Sequence, residues 1–375
     1  MIKKSLTVIA GGLLVANVAS ATELYNQNGT TFSVGGYLKI GYQSSAKDLD
    51  GKMGNVNGKY NNTRINFGGT RTINDDLTAF GKVEWKVNLF DKAGDVSMNN
   101  SEGVVTNRLG YVGLDHKSFG KITFGKQWGT YYNVASFTDL YEITGNEATG
   151  VYGSAQNGDG GFIGTGRAGS ALKYDVKMGS TELSAQYQAQ ETASSVDSFK
   201  GYIERKYSFG ASVVQGLGDN LKVGIAGNYA KLNAPLTSTD VNLDRMSAVA
   251  GVSYASDMLM AAVTVSYNTN MYNMDVSESA TIGQESFVGV KIGQPTLVYV
   301  GNNYSTTSYD NAKDGRTFSN TTDYNYVAVG AKYDLSADVS LSAEYRYDLR
   351  SKETVEKAGA TTNMNNVAVA VKYNF

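Results

Sequence analysis

The chain has 375 residues, a formal charge of −2, only 2 prolines and no cysteine. A near-neutral balance argues against nucleic acid as a partner, and the missing cysteines exclude disulfides, thiol nucleophiles and thiolate metal sites. No long apolar run follows the N-terminus, so no helix is expected to cross a membrane, and scarce proline suits a chain that is nearly all strand.

The first 21 residues read as a leader. Lys3 and Lys4 make a basic start, Leu6 to Val18 an apolar core, and Ala19-Ser20-Ala21 a small-residue cleavage site. The mature domain is expected to span 22–375. From Thr31 onward, alternating segments of roughly ten residues recur, as in a membrane barrel. Strand 1 covers Thr31–Ser44. Strand 2 (Tyr60–Ile73) points Ile65 and Phe67 to one side, Arg64 and Asn66 to the other. Strand 3 (Leu77–Leu89) sets Val83 and Trp85 against Lys82 and Glu84, and strand 4 (Val104–Leu114) sets Leu109 and Tyr111 against Thr106 and Arg108. Strand 5 (Gly120–Trp128) precedes the longest irregular stretch, 129–163. Strands 6 to 11 follow over Gly164–Asp175, Thr181–Gln190, Gly201–Gln215, Leu221–Leu232, Arg245–Ala255 and Leu259–Thr269. Strands 12 and 13 (Gln284–Ile292, Thr296–Ser305) have ambiguous facing. Strands 14 and 15 cover Asp323–Leu335 and Val339–Leu349.

The last strand, Asn365–Phe375, alternates without a fault: Val367, Val369, Val371, Tyr373 and Phe375 oppose Asn366, Ala368, Ala370, Lys372 and Asn374. One face is oily and the other wettable, which suits a wall with hydrocarbon outside and water inside. Unpaired backbone in lipid is costly, so the last strand must pair with the first. Long connections alternate with short turns such as 74–76, 256–258 and 336–338, the pattern of antiparallel staves with loops on one rim and turns on the other. Sixteen strands leave room for water, whereas eight would fill with side chains; the pattern also admits fourteen or eighteen, because strands 12 and 13 are weakly marked. The fold expected is all-β, a 16-stranded antiparallel transmembrane β-barrel.

The segments TELYNQNGTTFSVGGYLKIGY (22–42), YNNTRINFGGTRTINDDLTAFGKVEW (60–85), TNRLGYVGL (106–114) and FGKQWG (124–129), with the terminal aromatic strand, resemble the trimeric general-diffusion porins of Gram-negative outer membranes. The resemblance implies a homotrimer that passes ions and small hydrophilic solutes, with lipid and lipopolysaccharide around it. It also implies an inward-folded third external loop whose carboxylates face basic wall residues at a constriction. Carried over by motif, Arg64, Arg108 and Arg167 match the wall arginines and Lys126 a further basic position. Asp139 in FTDLYE matches a loop acid; Glu142 stands for the second, with Glu147 as the alternative. The alternation agrees in part, because Arg64, Arg108 and Arg167 oppose the aromatics and point inward. Lys126 instead falls on the parity of Ile122 and Phe124, so a bulge is needed to turn it inward.

Lys39, Lys82, Glu84, Lys86, Glu344 and Arg346 also face the lumen and are read as solvated. Asn157-Gly158-Asp159-Gly160 is read as turn chemistry. Gly164 to Gly169 spells G-x-G-x-x-G, but a strand follows where a dinucleotide site needs a helix, and His116 is the sole histidine, too few for a His-based zinc site. No enzyme activity, cofactor or metal is expected. Passive diffusion is weighed against a solute-specific channel for a sugar or anion and against a surface adhesin on a barrel scaffold. A sugar channel would want lumen aromatics, and only Tyr37 and Tyr202 fall on that parity.

Overall fold

The computed structural model describes residues 21–44, 58–90, 105–145, 147–151, 159–193, 203–233, 244–271, 279–293, 295–309, 320–357 and 365–375. Residues 1–20 of the expected leader 1–21, Asn146, Tyr202 and most of the long connections lie outside the described residues. The strands are β1 (Thr22–Gln27), β2 (Thr30–Gln43), β3 (Gly58–Asn61), β4 (Thr63–Thr72), β5 (Leu77–Val87), β6 (Val105–His116), β7 (Gly120–Trp128), β8 (Arg167–Met178), β9 (Thr181–Gln188) and β10 (Glu191–Ala193). They continue as β11 (Ile203–Leu217), β12 (Leu221–Asn233), β13 (Arg245–Ala255), β14 (Leu259–Thr269), β15 (Ser279–Ile292), β16 (Thr296–Tyr309), β17 (Thr321–Asp334), β18 (Val339–Asp348) and β19 (Asn366–Asn374). Two short helices, α1 (Tyr132–Ala135) and α2 (Lys352–Lys357), sit in the third and last long connections.

Successive strands pair antiparallel, and β19 closes onto β2 from Ala368 opposite Gln43 to Asn374 opposite Tyr37. Three of the segments add no stave. β3 and β4 both pair with β2, and β9 and β10 both pair with β11. β1 pairs with β2 over Thr30–Val34, beyond the reach of β19, and so continues the line of the last strand. The result is a closed sixteen-stranded antiparallel barrel, as expected. Gly36 and Phe375 exchange backbone hydrogen bonds of 3.0 and 3.1 Å at the seam, which leaves the terminal strand no open edge there.

Strands 5, 10 and 11 match β7, β13 and β14 residue for residue. β1 and α1 were not foreseen. β15 begins earlier than strand 12, and β16 ends later than strand 13. Asn74 Oδ1 accepts from the backbone N–H groups of Asp76 and Leu77 at 3.0 and 2.9 Å, closing one of the short turns by the side-chain chemistry expected of asparagine. The alternation is plainest in β19, where Val367, Val369, Val371 and Tyr373 are exposed outward while Ala368 and Ala370 are buried inward.

Candidate functional site

The connection from β7 to β8 does not stay at the rim. Its residues reach side chains of the inner wall along most of the circumference. Thr130 N–H donates to Gln186 on β9 at 2.7 Å, and Asn133 Nδ2 to Ser184 and Ser212, both at 3.0 Å. The turn of α1 then packs Tyr131, Val134, Ala135 and Phe137 against Val214, Ala226, Val249 and Ala262, small or aliphatic inward residues of β11 to β14. Thr138 Oγ1 donates to Glu285 at 3.0 Å, and Glu285 also accepts from the N–H groups of Ala148 and Thr149. Gly283, beside it on β15, has no side chain because a Cβ there would lie 1.8 Å from the Ala148 carbonyl.

The loop tip reaches further still. Ile143 and Thr144 donate backbone N–H groups to Glu344 on β18 at 3.2 and 2.9 Å, and the Tyr299 hydroxyl donates to the same carboxylate at 2.6 Å. Glu147 accepts from the Tyr326 hydroxyl and pairs with Arg346 at 3.3 Å. Glu142 pairs with Lys39 on β2 at 2.8 Å. The loop thus runs along the wall from β9 round to β2, and the arc β4 to β8 carries Arg64, Lys82, Arg108, Lys126 and Arg167.

On that arc Arg64 and Arg108 meet at Glu84. Arg108 Nε lies 2.9 Å from Glu84, Lys82 Nζ 3.8 Å and Arg64 Nη1 4.0 Å. A register shift between Glu84 and Trp85 gives β6 one extra residue there. It turns both Arg108 and Leu109 inward, so the expected facing of strand 4 is corrected: Leu109 is buried, and Tyr111 pairs across from the inward Lys82. The bulge required for Lys126 is also present. The register slips between Gly125 and Gln127, with Gly125 at φ +121°, a conformation that glycine adopts freely. Lys126 Nζ reaches Asp159 at 2.9 Å, and Arg167 Nε lies 3.5 Å from the same carboxylate.

The expected residues are therefore grouped differently from the resemblance. Asp139 accepts a hydrogen bond from Tyr132 within the loop, and Glu142 goes to Lys39 rather than to an arginine. Asp159, expected to serve a turn, is the loop acid that pairs with Arg167 and Lys126. Lys39, Glu84, Glu344 and Arg346 were expected to be solvated; each instead has a charged or hydrogen-bonded partner, and Lys39, Glu84 and Glu344 are at most 8 % exposed. Inward tyrosines beyond Tyr37 were missed as well. Tyr299 and Tyr326 are buried inside because they hold the loop.

Burial would raise the Glu142 carboxyl, but Lys39, helped by Lys332 and Lys372, holds it below the usual range. Asp159 is likewise held down against burial by Arg167 and Lys126. Glu147 goes the other way: burial raises it despite Arg346 and Tyr326.

With this geometry in hand, the comparisons with known proteins agree among themselves. A family profile described as Gram-negative porin matches residues 5–354. The putative outer membrane porin protein NmpC of Escherichia coli K12 is 24 % identical over 401 aligned residues, covering 99 % of this chain and 98 % of that one. Outer membrane protein Omp-EA of Erwinia amylovora is 33 % identical over 155 residues, 40 % of this chain and 39 % of the other. Among solved structures, OmpF of Salmonella typhi in complex with daunomycin superposes with a TM-score of 0.74 at 19 % identity, covering 94 % of this chain and all of that one. A trimer form of the outer membrane protein OmpT of Vibrio cholerae gives 0.61 at 18 % identity, covering 93 % and 100 %. This chain belongs to the Gram-negative porin family and is an outer-membrane porin.

Proposed function

We propose that the barrel is a water-filled channel for passive diffusion of ions and small hydrophilic solutes, narrowed by the β7–β8 loop opposite a charged wall. The observation that carries this reading is the course of that loop. It is held to the inner wall from β9 to β2 and leaves Arg64, Lys82 and Arg108 on the uncovered arc. Lys126, Arg167, Asp139, Glu142 and Asp159 complete the constriction. Diffusion through such a bore needs no catalytic group and no cofactor. A basic residue on the lipid side would cost roughly 2–4 kcal/mol at the bilayer midplane, which favours the inward placement of the arginines.

The mature protein is proposed to begin at Thr22 after removal of the leader, and to assemble as a homotrimer in lipid and lipopolysaccharide. The trimer form of the Vibrio cholerae structure supports that assembly by analogy of fold. Single-channel recording of the purified protein in planar bilayers tests the whole reading. Stepwise conductance in triplets is expected, together with liposome swelling for small sugars and not for large ones. Electrically silent bilayers would overturn it.

A further inference from the structure

We infer that the constriction prefers anions to cations, so that small inorganic and carboxylate anions are the solutes it favours. This inference rests on the channel reading above and concerns the same site. The chain as a whole carries a formal charge of −2, which would favour cations if charge were spread evenly. It is not spread evenly along the described wall.

Two stations on the uncovered arc each set several cations around one carboxylate. Glu84 is shared by Arg108, Lys82 and Arg64 at 2.9, 3.8 and 4.0 Å. Asp159 is shared by Lys126 and Arg167 at 2.9 and 3.5 Å. Glu142, where the loop is anchored to β2, pairs one-to-one with Lys39 at 2.8 Å and is counted as neutral. One carboxylate cancels one positive charge, so each of the two stations keeps a surplus.

The acids that might offset the surplus are placed elsewhere. Glu285 and Glu344 are 0 % and 4 % exposed, shut off from the water of the bore beneath the loop whose N–H groups they accept. Glu147 is matched by Arg346 at 3.3 Å. Asp139 is the one further loop carboxylate to count against the cations, and it is held by the Tyr132 hydroxyl. Aromatic rings orient two of the guanidinium groups without neutralising them: Arg64 lies 5.3 Å from the Tyr37 ring centroid and Arg167 5.5 Å from that of Trp128. Arg64 Nε is left without a hydrogen-bond partner.

An uncompensated charge about 7 Å from a passing ion, in water at about 0.1 M salt, separates the two ion signs by roughly threefold. The test is the reversal potential of the full-length protein in a neutral planar bilayer under a KCl gradient. A chloride-to-potassium permeability ratio of about three or more is expected, and Glu84→Gln should raise it by roughly threefold again. Arg64→Gln should lower it. A conducting channel with a ratio of one or below would overturn the anion preference and leave the diffusion reading standing. An unchanged ratio in a conducting Glu84→Gln channel would equally overturn it. A bilayer with no conductance at all would overturn the diffusion reading and this inference together.

Discussion

The two halves of the inner wall are built on different rules. From β11 to β18 much of the inner wall is apolar, small, or hydrogen-bonded to the loop: Val214, Val249, Phe287 and Tyr299 point inside, and Glu285 and Glu344 accept loop N–H groups. From β4 to β8 the inner wall carries Arg64, Lys82, Glu84, Arg108, Lys126 and Arg167, beside the inward Leu109. The first half behaves as a protein core that happens to lie inside a barrel, and the second as a face of ion-paired charges. Alternation of apolar outside and polar inside is thus a rule for wall that meets water. It lapses where another segment of the chain supplies the inner neighbour.

Substitutions on the core-like half should act on bore size, and those on the charged half on ion choice. The largest effect is expected for Val134→Asp, which places a carboxylate in a fully buried apolar cluster at a cost of several kcal/mol. The loop should leave the wall and single-channel conductance should rise, with the strand content seen by circular dichroism unchanged. An unaltered conductance would break the comparison. Gly283→Val should do the same more weakly, since its Cβ would lie 1.8 Å from the Ala148 carbonyl and overpacking costs about 1–3 kcal/mol.

Arg108→Ala sharpens the other half. It removes the nearest partner of Glu84 while Lys82 and Arg64 remain, so conductance should hold and the reversal potential should move towards cation passage. Stability should fall by about 1–2 kcal/mol, read as a lower melting temperature in detergent.

Acid should act on the loop in two stages. A carboxyl held below its unfolded value of about 4 contributes stability above that value and loses it as pH falls through the depressed one; this is the case of Asp159 and Glu142. Glu147, raised by burial, has the opposite sign, and its protonation on acidification relieves a cost. Open-channel current noise from loop motion should therefore not increase from pH 7 to 5, and should appear below about pH 4. The smallest effect belongs to Asp115→Asn. Its pair with Lys121 is 3.9 Å long with both side chains more than a third exposed, so conductance, ion choice and melting should stay put.

The outer face was legible in the sequence because lipid imposes one chemistry on every stave. The ends of β7, β13 and β14 and the alternation of β19 could be read directly. The charged arc was legible in its members and not in its pairings. Arg108 and Leu109 share an inward orientation only because β6 carries an extra residue, and here the residues on either side still alternate as an unbroken strand would. Asp159 sits in a glycine-rich segment whose local sequence suits a turn equally well, and its partners come from β7 and β8. The ambiguity of strands 12 and 13 was itself a signal. Phe287 and Tyr299 are apolar on the inner face because the loop ring of Tyr141 packs there, with centroids 5.3 and 6.0 Å away.

The docked loop is what separates the two halves, and the absence of native cysteine makes its position directly testable. Thr138 on the loop and Thr264 on β14 bring their hydroxyls to 3.0 Å. In the Thr138→Cys/Thr264→Cys protein, mild oxidation should form the cross-link in nearly every molecule, and single-channel conductance should be the same before and after. Failure of the pair to cross-link, or a steep fall in conductance once it does, would mean that the loop rests elsewhere and that the wall is not divided in this way.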